Sequence, residues 1–191
     1  MTRSIVSKQV LRRTLRAERD GLALDIRRLA EHSALSLLGP LQPWQAATVV
    51  AAYMPIGSEF DPALLVQAAR QRGVSIVYPR VDNEYLHFHS WRHGEPCERA
   101  IGGVAQPLES SPKVSVEQID VFLTPLLACG DNGIRLGYGG GFYDRLFEHA
   151  RGFKLGVGFK MQRISHWETE AHDEPLDGFV SGHGLETFSR R

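Results

Sequence analysis

The chain opens on a helical pattern. From Ser7 to Leu38, apolar residues (Val10, Leu11, Leu15, then Leu22, Ile26, Leu29) recur every three or four positions, predicting a helical region broken near Gly21 and ended by Gly39-Pro40. The pattern then changes to short apolar runs rich in β-branched residues. ATVVAAYMPI (47–56) reads as a buried strand of a parallel sheet, VSIVYPRV (74–81) as the next strand, and YLHFHSW (85–91) as an alternating one. Between the first two, Asp61 at an N-cap, Pro62 at the first helical position and Gly73 past the end delimit a helix. Residues 92–117, rich in Gly, Pro, Ser and Glu, predict a long surface excursion. IDVFLTPLLA (119–128) is another buried strand, GFYDRLFEHA (141–150) a helix, and KLGVGFKMQ (154–162) and DGFVSG (177–182) two last strands. Strand and helix signals alternate without an internal repeat, so the expected class is α/β, an open sheet with helices on both faces.

Composition narrows the setting. The 191 residues suit one domain spanning 1–191, and 42% hydrophobic with 23% charged residues is an ordinary globular balance. The 22 basic and 22 acidic residues cancel, which argues against a nucleic-acid coat or a membrane-surface protein. Cys97 and Cys129 form no CxxC, in keeping with a reducing compartment. The first 22 residues lack a signal-like apolar core, and the run ending at Ile56 is interrupted by Pro55 and too short to span a bilayer. A cytoplasmic protein is expected.

The chemistry gathers in RLGYGGGFYDR (135–145), where Gly137, Gly139, Gly140 and Gly141 occupy four of five positions. A buried strand, a glycine turn and a helix start can bind phosphate, because bare backbone N–H groups approach an anion closely and the helix end favours negative charge. Arg135 and Arg145 flank the glycines, and Asp144 beside a phosphate suggests Mg²⁺ between them. Neither GxxxxGK[ST] nor GxGxxG fits, since Phe142 stands where a third glycine belongs. The loop by itself is equally a phosphate cradle or a tight turn.

The first helix carries Arg3, Lys8, Arg12, Arg13, Arg16 and Arg19 against Glu18. Lys8, Arg12 and Arg16 stack at i, i+4, i+8, where each like-charge pair costs about 0.2–0.5 kcal/mol. A bound polyanion relieves that repulsion; a solvated basic face is the plain alternative. His87 and His89 share a strand face with no acid or cysteine clearly paired to them, which reads as a histidine-rich strand rather than a metal site, and His93 falls beyond the strand. Cys129 lacks a visible histidine partner and reads as a buried thiol.

Through KQVLRR (8–13), YMPIGSEFD (53–61), YPR (78–80) and above all RLGYGGGFYDR, supported by VGF (157–159) and LD (176–177), the chain resembles the 5-formyltetrahydrofolate cyclo-ligases, also called methenyltetrahydrofolate synthetases. The order and spacing hold over nearly the whole chain. The resemblance implies a single-domain three-layer α/β/α sandwich around a mostly parallel sheet, with N-terminal helices. It also implies a ligase using ATP and Mg²⁺ to convert 5-formyltetrahydrofolate to 5,10-methenyltetrahydrofolate, releasing ADP and phosphate through phosphoryl activation of the formyl oxygen.

Carried over residue by residue, the resemblance assigns Lys8, Gln9, Val10, Leu11 and Arg12 to ATP, with Arg135, Leu136, Gly137, Tyr138, Gly139, Gly140, Gly141, Phe142 and Tyr143. It assigns Arg12, Met54, Glu59, Tyr138, Gly139, Gly140, Gly141 and Phe142 to the folate. Arg135, Tyr143 and Asp144 are the implied catalytic residues, and Asp144 and Asp177 the implied metal ligands. Glu59 suits the amino and N–H donors of a pterin, but is equally a loop charge near the Asp61 cap; Asp177 is otherwise a turn residue before Gly178. Trp91, Phe60 and Phe142 are candidate walls for flat rings, or simple core. ACGDNGIR (128–135) departs from the family, with Cys129-Gly130 where an aromatic–aspartate pair is common and Asp131 shifted by one. The expected partners are ATP and 5-formyltetrahydrofolate, without nucleic acid or membrane, for a monomer or weak oligomer. A paralogue that only binds nucleotide or folate is the rival; the joint presence of Lys8, Arg12, Arg135, Tyr143 and Asp144 favours catalysis.

Overall fold

The computed structural model describes residues 7–100, 102–165, 167, 169–170 and 173–189; Arg3 of the basic segment lies outside them. The helical region divides at Gly21 into α1 (Lys8–Asp20) and α2 (Leu24–Leu38), followed by a short α3 (Gln42–Ala46) that the periodicity did not predict. Ser7 caps α1, its Oγ accepting from the Val10 N–H at 3.4 Å.

β1 (Val49–Ala51) is much shorter than the apolar run that predicted it. Beyond Ala52 the chain turns over the end of the sheet, and the Tyr53 hydroxyl donates to the Phe60 carbonyl at 2.6 Å, closing that loop. α4 (Ala63–Gln71) starts one residue later than expected, with Pro62 at the cap and the Asp61 carboxylate accepting from the Ala63 N–H at 2.9 Å. β2 (Ser75–Asp82) and β3 (Tyr85–Ser90) follow as an antiparallel pair. The predicted excursion carries a ribbon of β4 (Cys97–Arg99) and β5 (Ala105–Pro107), then β6 (Lys113–Val114). IDVFLTPLLA splits at Pro125 into β7 (Val121–Thr124) and β8 (Ala128–Cys129), and β8 pairs with β9 (Arg135–Leu136) in a second ribbon. After α5 (Phe142–Phe147) come β10 (Phe153–Val157), β11 (Gly178–Ser181) and β12 (Gly184–Thr187).

The main sheet has the order β12-β11-β10-β7-β1-β2-β3-β6. Its centre, from β11 to β2, is parallel, and antiparallel strands close both edges. On one face Ala30, Ala34 and Leu38 of α2 and Leu65, Val66 and Ala69 of α4 pack against Val50, Leu123, Leu155 and Val180. On the other, Leu146 and Phe147 of α5 pack against Phe88, Phe122 and Phe179. This is the expected three-layer sandwich.

The topology sets where ligands go. The chain moves from β1 to β2 on one side through α4 and from β7 to β10 on the other through α5, so the strand order reverses between β1 and β7. Crevices outside the carboxyl ends of parallel strands at such a reversal are where open α/β sheets bind ligands. The loop after β1 and the glycine loop beyond β7 both leave from that end. Among the described residues no helix is long and apolar enough to cross a membrane.

Candidate functional site

α1 lies across this end of the sheet because its apolar stripe has a dock there. Leu15 is buried with Ala128 and Leu136, and Leu11, Met161, Ile164 and Trp167 pack around them. That dock fixes which cations turn inward. Lys8, Arg12 and Arg19 share the face of Leu15, whereas Arg16 is exposed and lays its guanidinium over the Tyr138 ring, 5.4 Å from the centroid. The inward row therefore has the spacing of the core stripe rather than the i, i+4, i+8 stack read from charge. Arg12 Nε donates to the Gly137 carbonyl at 2.9 Å, tying the helix to the glycine loop. Lys8 Nζ pairs with Asp173 at 2.9 Å and Glu170 at 3.1 Å. Burial works against its charge, but these two acids outweigh it and hold the pKa above the ordinary lysine value.

The glycine loop is shaped by the arginines around it. Arg135 is 7% exposed and donates through Nη2 to Asp144 Oδ1 at 2.9 Å, with its guanidinium 5.2 Å from the centre of the Tyr143 ring. A side chain at Gly137 would run into that guanidinium, since a Cβ there falls 2.5 Å from Arg135 Nη1. Gly141, the residue before α5, has φ 66°, a left-handed conformation that glycine adopts without steric penalty. Arg135 Nε is buried without a hydrogen-bond partner, a donor suited to an anion. Burial raises the Tyr143 pKa, although Arg135 opposes the rise, so the phenol stays neutral.

The donors fit Mg²⁺ in a particular way. Among the described residues no three His, Cys, Asp or Glu side chains gather into a protein metal cage. Mg²⁺ commonly keeps one or two carboxylates and completes its shell with phosphate oxygens and water. Asp144 at the start of α5 is a hard oxygen donor of that kind, while Asp173 is engaged by Lys8.

Across the cleft, Glu59 is buried in the loop after β1, and its Oε2 accepts from the Ile56 N–H at 2.8 Å. The hydroxyl of Tyr138, in the glycine loop, accepts from Arg19 Nη1 at 2.7 Å. Its pKa is raised first by burial and then by the Glu59 charge. Met54, in the same loop as Glu59, packs half-buried against the core.

Other assignments fall elsewhere. Asp177 precedes β11 at the amino end of the parallel strands, where its Oδ2 accepts from the Lys154 N–H at 2.8 Å. It lines an open groove of about 530 Å³ with Asp120 and Arg151, at the opposite end of the sheet from Asp144. Asp177 and Asp144 therefore do not converge on one ion. Gln9 and Val10 are exposed on α1, and Leu136 is buried as part of the dock for that helix. Phe142 packs with the α5 core beneath the Arg145 guanidinium, while Arg145 holds the Gly140 carbonyl at 2.9 Å. Phe60 is core, stacked at 5.5 Å on Phe159, and Trp91 packs edge-on to Tyr78 at 5.4 Å. His87 faces Asp82 at 3.6 Å, and His89 is buried with Nδ1 2.8 Å from the Ser111 carbonyl. Burial pushes the Cys129 thiol up to about 12. In the divergent segment Asp131 pairs with Arg163 at 2.8 Å.

Sequence reasoning missed Arg19, Ser58, Asp173 and Gln162. The signal for Arg19 was present, two turns from Arg12 on the stripe of Leu15. Gln162 gave none: its side chain accepts from the Phe159 N–H at 2.8 Å and donates to the Leu126 carbonyl at 2.6 Å, satisfying the chain where β7 leaves the sheet.

Known proteins resemble this chain in sequence and fold. The family model described as the 5-formyltetrahydrofolate cyclo-ligase family matches residues 4–182. A 5-formyltetrahydrofolate cyclo-ligase of Haemophilus influenzae is 26% identical over 182 residues, covering 92% of this chain and 97% of its own. One from Mycolicibacterium smegmatis is 31% identical over 151 residues, covering 75% and 76%. A solved 5,10-methenyltetrahydrofolate synthetase from Aquifex aeolicus superposes with a TM-score of 0.80 at 26% identity, covering 96% of this chain and 94% of that one. The Mycoplasma pneumoniae synthetase has the same fold, with a TM-score of 0.76 at 21% identity, covering 93% and 99%.

Proposed function

The chain belongs to the 5-formyltetrahydrofolate cyclo-ligase family, and on that premise we propose that the cleft between α1 and the glycine loop closes 5-formyltetrahydrofolate to 5,10-methenyltetrahydrofolate, driven by ATP with Mg²⁺. The observation that carries this reading is the meeting of Arg12, on the helix that also bears Lys8, with the loop that bears the Arg135–Asp144 pair. Phosphoryl transfer asks a protein mainly for positioning and charge neutralisation, and this cleft supplies both.

In the proposed reaction the formyl oxygen attacks the γ-phosphorus and ADP leaves. The N10 amine then attacks the activated carbon, the carbon–oxygen bond breaks, phosphate departs, and N10 gives up its proton as the five-membered ring closes. Lys8 and Arg12 exchange Asp173 and the Gly137 carbonyl for phosphate oxygens. Arg135 brings its orphan Nε to the transferring group, and the neutral Tyr143 phenol stays fixed against the Arg135 guanidinium. Glu59 accepts from the pterin, with Met54 and Tyr138 beside it. Asp144 is the carboxylate that would hold Mg²⁺, which neutralises phosphate charge. Free cysteines, one exposed (Cys97) and one buried (Cys129), suit a cytoplasmic enzyme, and the balanced charge favours small-molecule partners over nucleic acid.

The test is optical. Purified chain is mixed with 5-formyltetrahydrofolate and Mg²⁺, ATP is added, and the near-ultraviolet band of the methenyl product is followed. Growth of the band that requires both ATP and metal is expected. No growth while ATP or folate still binds would assign the chain to a non-catalytic paralogue.

A further inference from the structure

Arg145 flanks the glycines in sequence as a second cation beside Arg135, but its guanidinium is engaged by backbone carbonyls. Nη2 donates to the Gly140 carbonyl and Nε to the Glu84 carbonyl, both at 2.9 Å. Glu84 belongs to the two-residue turn (83–84) that closes β2 onto β3, where Asp82 faces Tyr85. The guanidinium carbon also lies 5.3 Å from the centre of the Phe142 ring. The group is thus held at the sheet hairpin, at α5 and at the glycine loop. Arg12, among the described residues, makes a single hydrogen bond to that loop, at the Gly137 carbonyl. In a trans peptide the N–H and the C=O point in opposite directions, so the grip that turns the Gly140 carbonyl toward Arg145 turns the Gly141 N–H away from it. Among the described residues that N–H donates to no protein acceptor. With glycine on both sides, this peptide rotates at little steric cost, and the reversed orientation would put a carbonyl oxygen where the N–H now stands. A side chain at Gly141 would collide with the grip, since a Cβ there falls 2.7 Å from Arg145 Nη1.

Resting on the ATP reading above, we propose that Arg145 is a positioning residue for the triphosphate rather than a phosphate ligand. It fixes the peptide between Gly140 and Gly141 so that the N–H, and not the carbonyl, faces the anion. Backbone N–H groups attract phosphate, whereas a carbonyl oxygen turned into the same space repels it. The two arginines on the loop then have different duties. Arg12 leaves the Gly137 carbonyl for a phosphate oxygen, and the loop keeps its shape because Arg145 holds the other end against the β2–β3 hairpin. The residue type follows from the geometry. A planar guanidinium serves two carbonyls at once in a fixed fork, while a lysine ammonium is a point donor on a flexible stem.

Initial-rate kinetics and amide NMR on the full chain test this. Arg145→Lys keeps the charge and loses the fork. It is expected to raise the KM for ATP roughly tenfold or more, the scale of one hydrogen bond to a charged group, and nearly as far as Arg145→Ala does. The KM for 5-formyltetrahydrofolate and kcat at saturating ATP should change little, a split that general loss of stability does not produce. A phosphate ligand behaves otherwise, because lysine at that place keeps its charge on the phosphate. A near-native KM for ATP in Arg145→Lys therefore overturns the proposal. In the isotope-labelled native chain, a non-hydrolysable ATP analogue with Mg²⁺ should move the Gly141 amide proton downfield as it takes a phosphate oxygen, and Arg145→Lys should lose that shift at saturating analogue. A Gly141 amide unmoved while the native chain binds the analogue overturns the positioning role and leaves the functional reading intact, even if the variants fail to fold. No binding of the analogue by the native chain refutes the functional reading, and the role of Arg145 with it.

Discussion

Asp144→Asn tests the cleft at the point where structure and chemistry meet. The substitution keeps the volume of the side chain and an oxygen that can accept from Arg135 Nη2, but it removes the charge. Arg135 is buried, and Asp144 is its ion-pair partner at 2.9 Å. Removing one member of a buried pair outright costs about 3–5 kcal/mol, whereas a single hydrogen bond to a charged group contributes about 1.5–3 kcal/mol. The retained amide oxygen places this variant near the lower figure, about 2 kcal/mol. At about 2–4 °C per kcal/mol for a chain of this size, the melting midpoint should fall by roughly 4–8 °C. Turnover should fall by at least about a hundredfold, the scale for losing one preorganised charge at a reacting centre. The assays are thermal denaturation without ligand and methenyl formation across a Mg²⁺ titration. An unchanged midpoint refutes the energetic argument for the pair, and near-native turnover at limiting Mg²⁺ refutes the metal assignment.

Four further outcomes are expected. Asp177→Asn should lower the melting midpoint by weakening the carboxylate that accepts from Lys154, with the Mg²⁺ dependence of turnover unchanged; a shifted Mg²⁺ requirement would return Asp177 to the metal site. Lys8→Ala should raise the KM for ATP more than that for folate in initial-rate kinetics, and the reverse order would move Lys8 to the folate half. A thiol reagent at pH 8 should modify the exposed Cys97 and spare Cys129 until denaturant is added, because the Cys129 pKa is pushed up to about 12; two rapid equivalents in the native chain would contradict the packing. Asp120 is held below the ordinary carboxylate range despite the opposing effect of burial, because its Oδ2 accepts from the Thr48 and Val49 N–H groups and the Thr48 hydroxyl. Its depressed value means a stabilisation that is present above about pH 4 and lost as pH falls through the folded pKa. The stability gap between the native chain and Asp120→Asn should therefore close on acidification, and a gap constant down to pH 2 would exclude that linkage.

Long periodic segments were legible in the sequence. The α1–α2 stripe, the Asp61-Pro62 start and the β-branched runs all mark real elements, because each needs only local propensity and one buried face. Lengths were not legible. Val49–Ala51 pairs while Tyr53–Ile56 does not: β2 and β7 run on to Asp82 and Thr124, but the chain beyond Ala52 leaves them for the loop closed by the Tyr53–Phe60 hydrogen bond. The two-residue β8–β9 ribbon is similarly set by tertiary partners, among them the Gln162 amide. At the site, motif reading marked the glycine loop and its flanking charges and grouped Asp177 with Asp144. Asp173 and Asp177 stand four apart in one segment, and only the fold sends one to Lys8 and the other to the Lys154 backbone at the far end of the sheet. Arg19 stood only as one of the basic cations of the first helix, read as either a polyanion site or a solvated face, because burial of a charge leaves no trace in composition.

The dock beneath α1 has a consequence for how the chain is made. Leu15 rests on Ala128 and Leu136, with Met161, Ile164 and Trp167 around them, so the helix that emerges early from a ribosome finds its seat only when the last third of the chain has followed. Until then the apolar stripe of α1 has no native partner, and contacts so distant in sequence form late because the intervening loop must be closed first. β1, β2 and the hairpin to β3 can assemble sooner from near neighbours. The helix carrying Lys8 and Arg12 is thus synthesised well before the residues that seat it, and a nascent chain that stalls before Ile164 carries a partial sheet with its cationic arm unmoored.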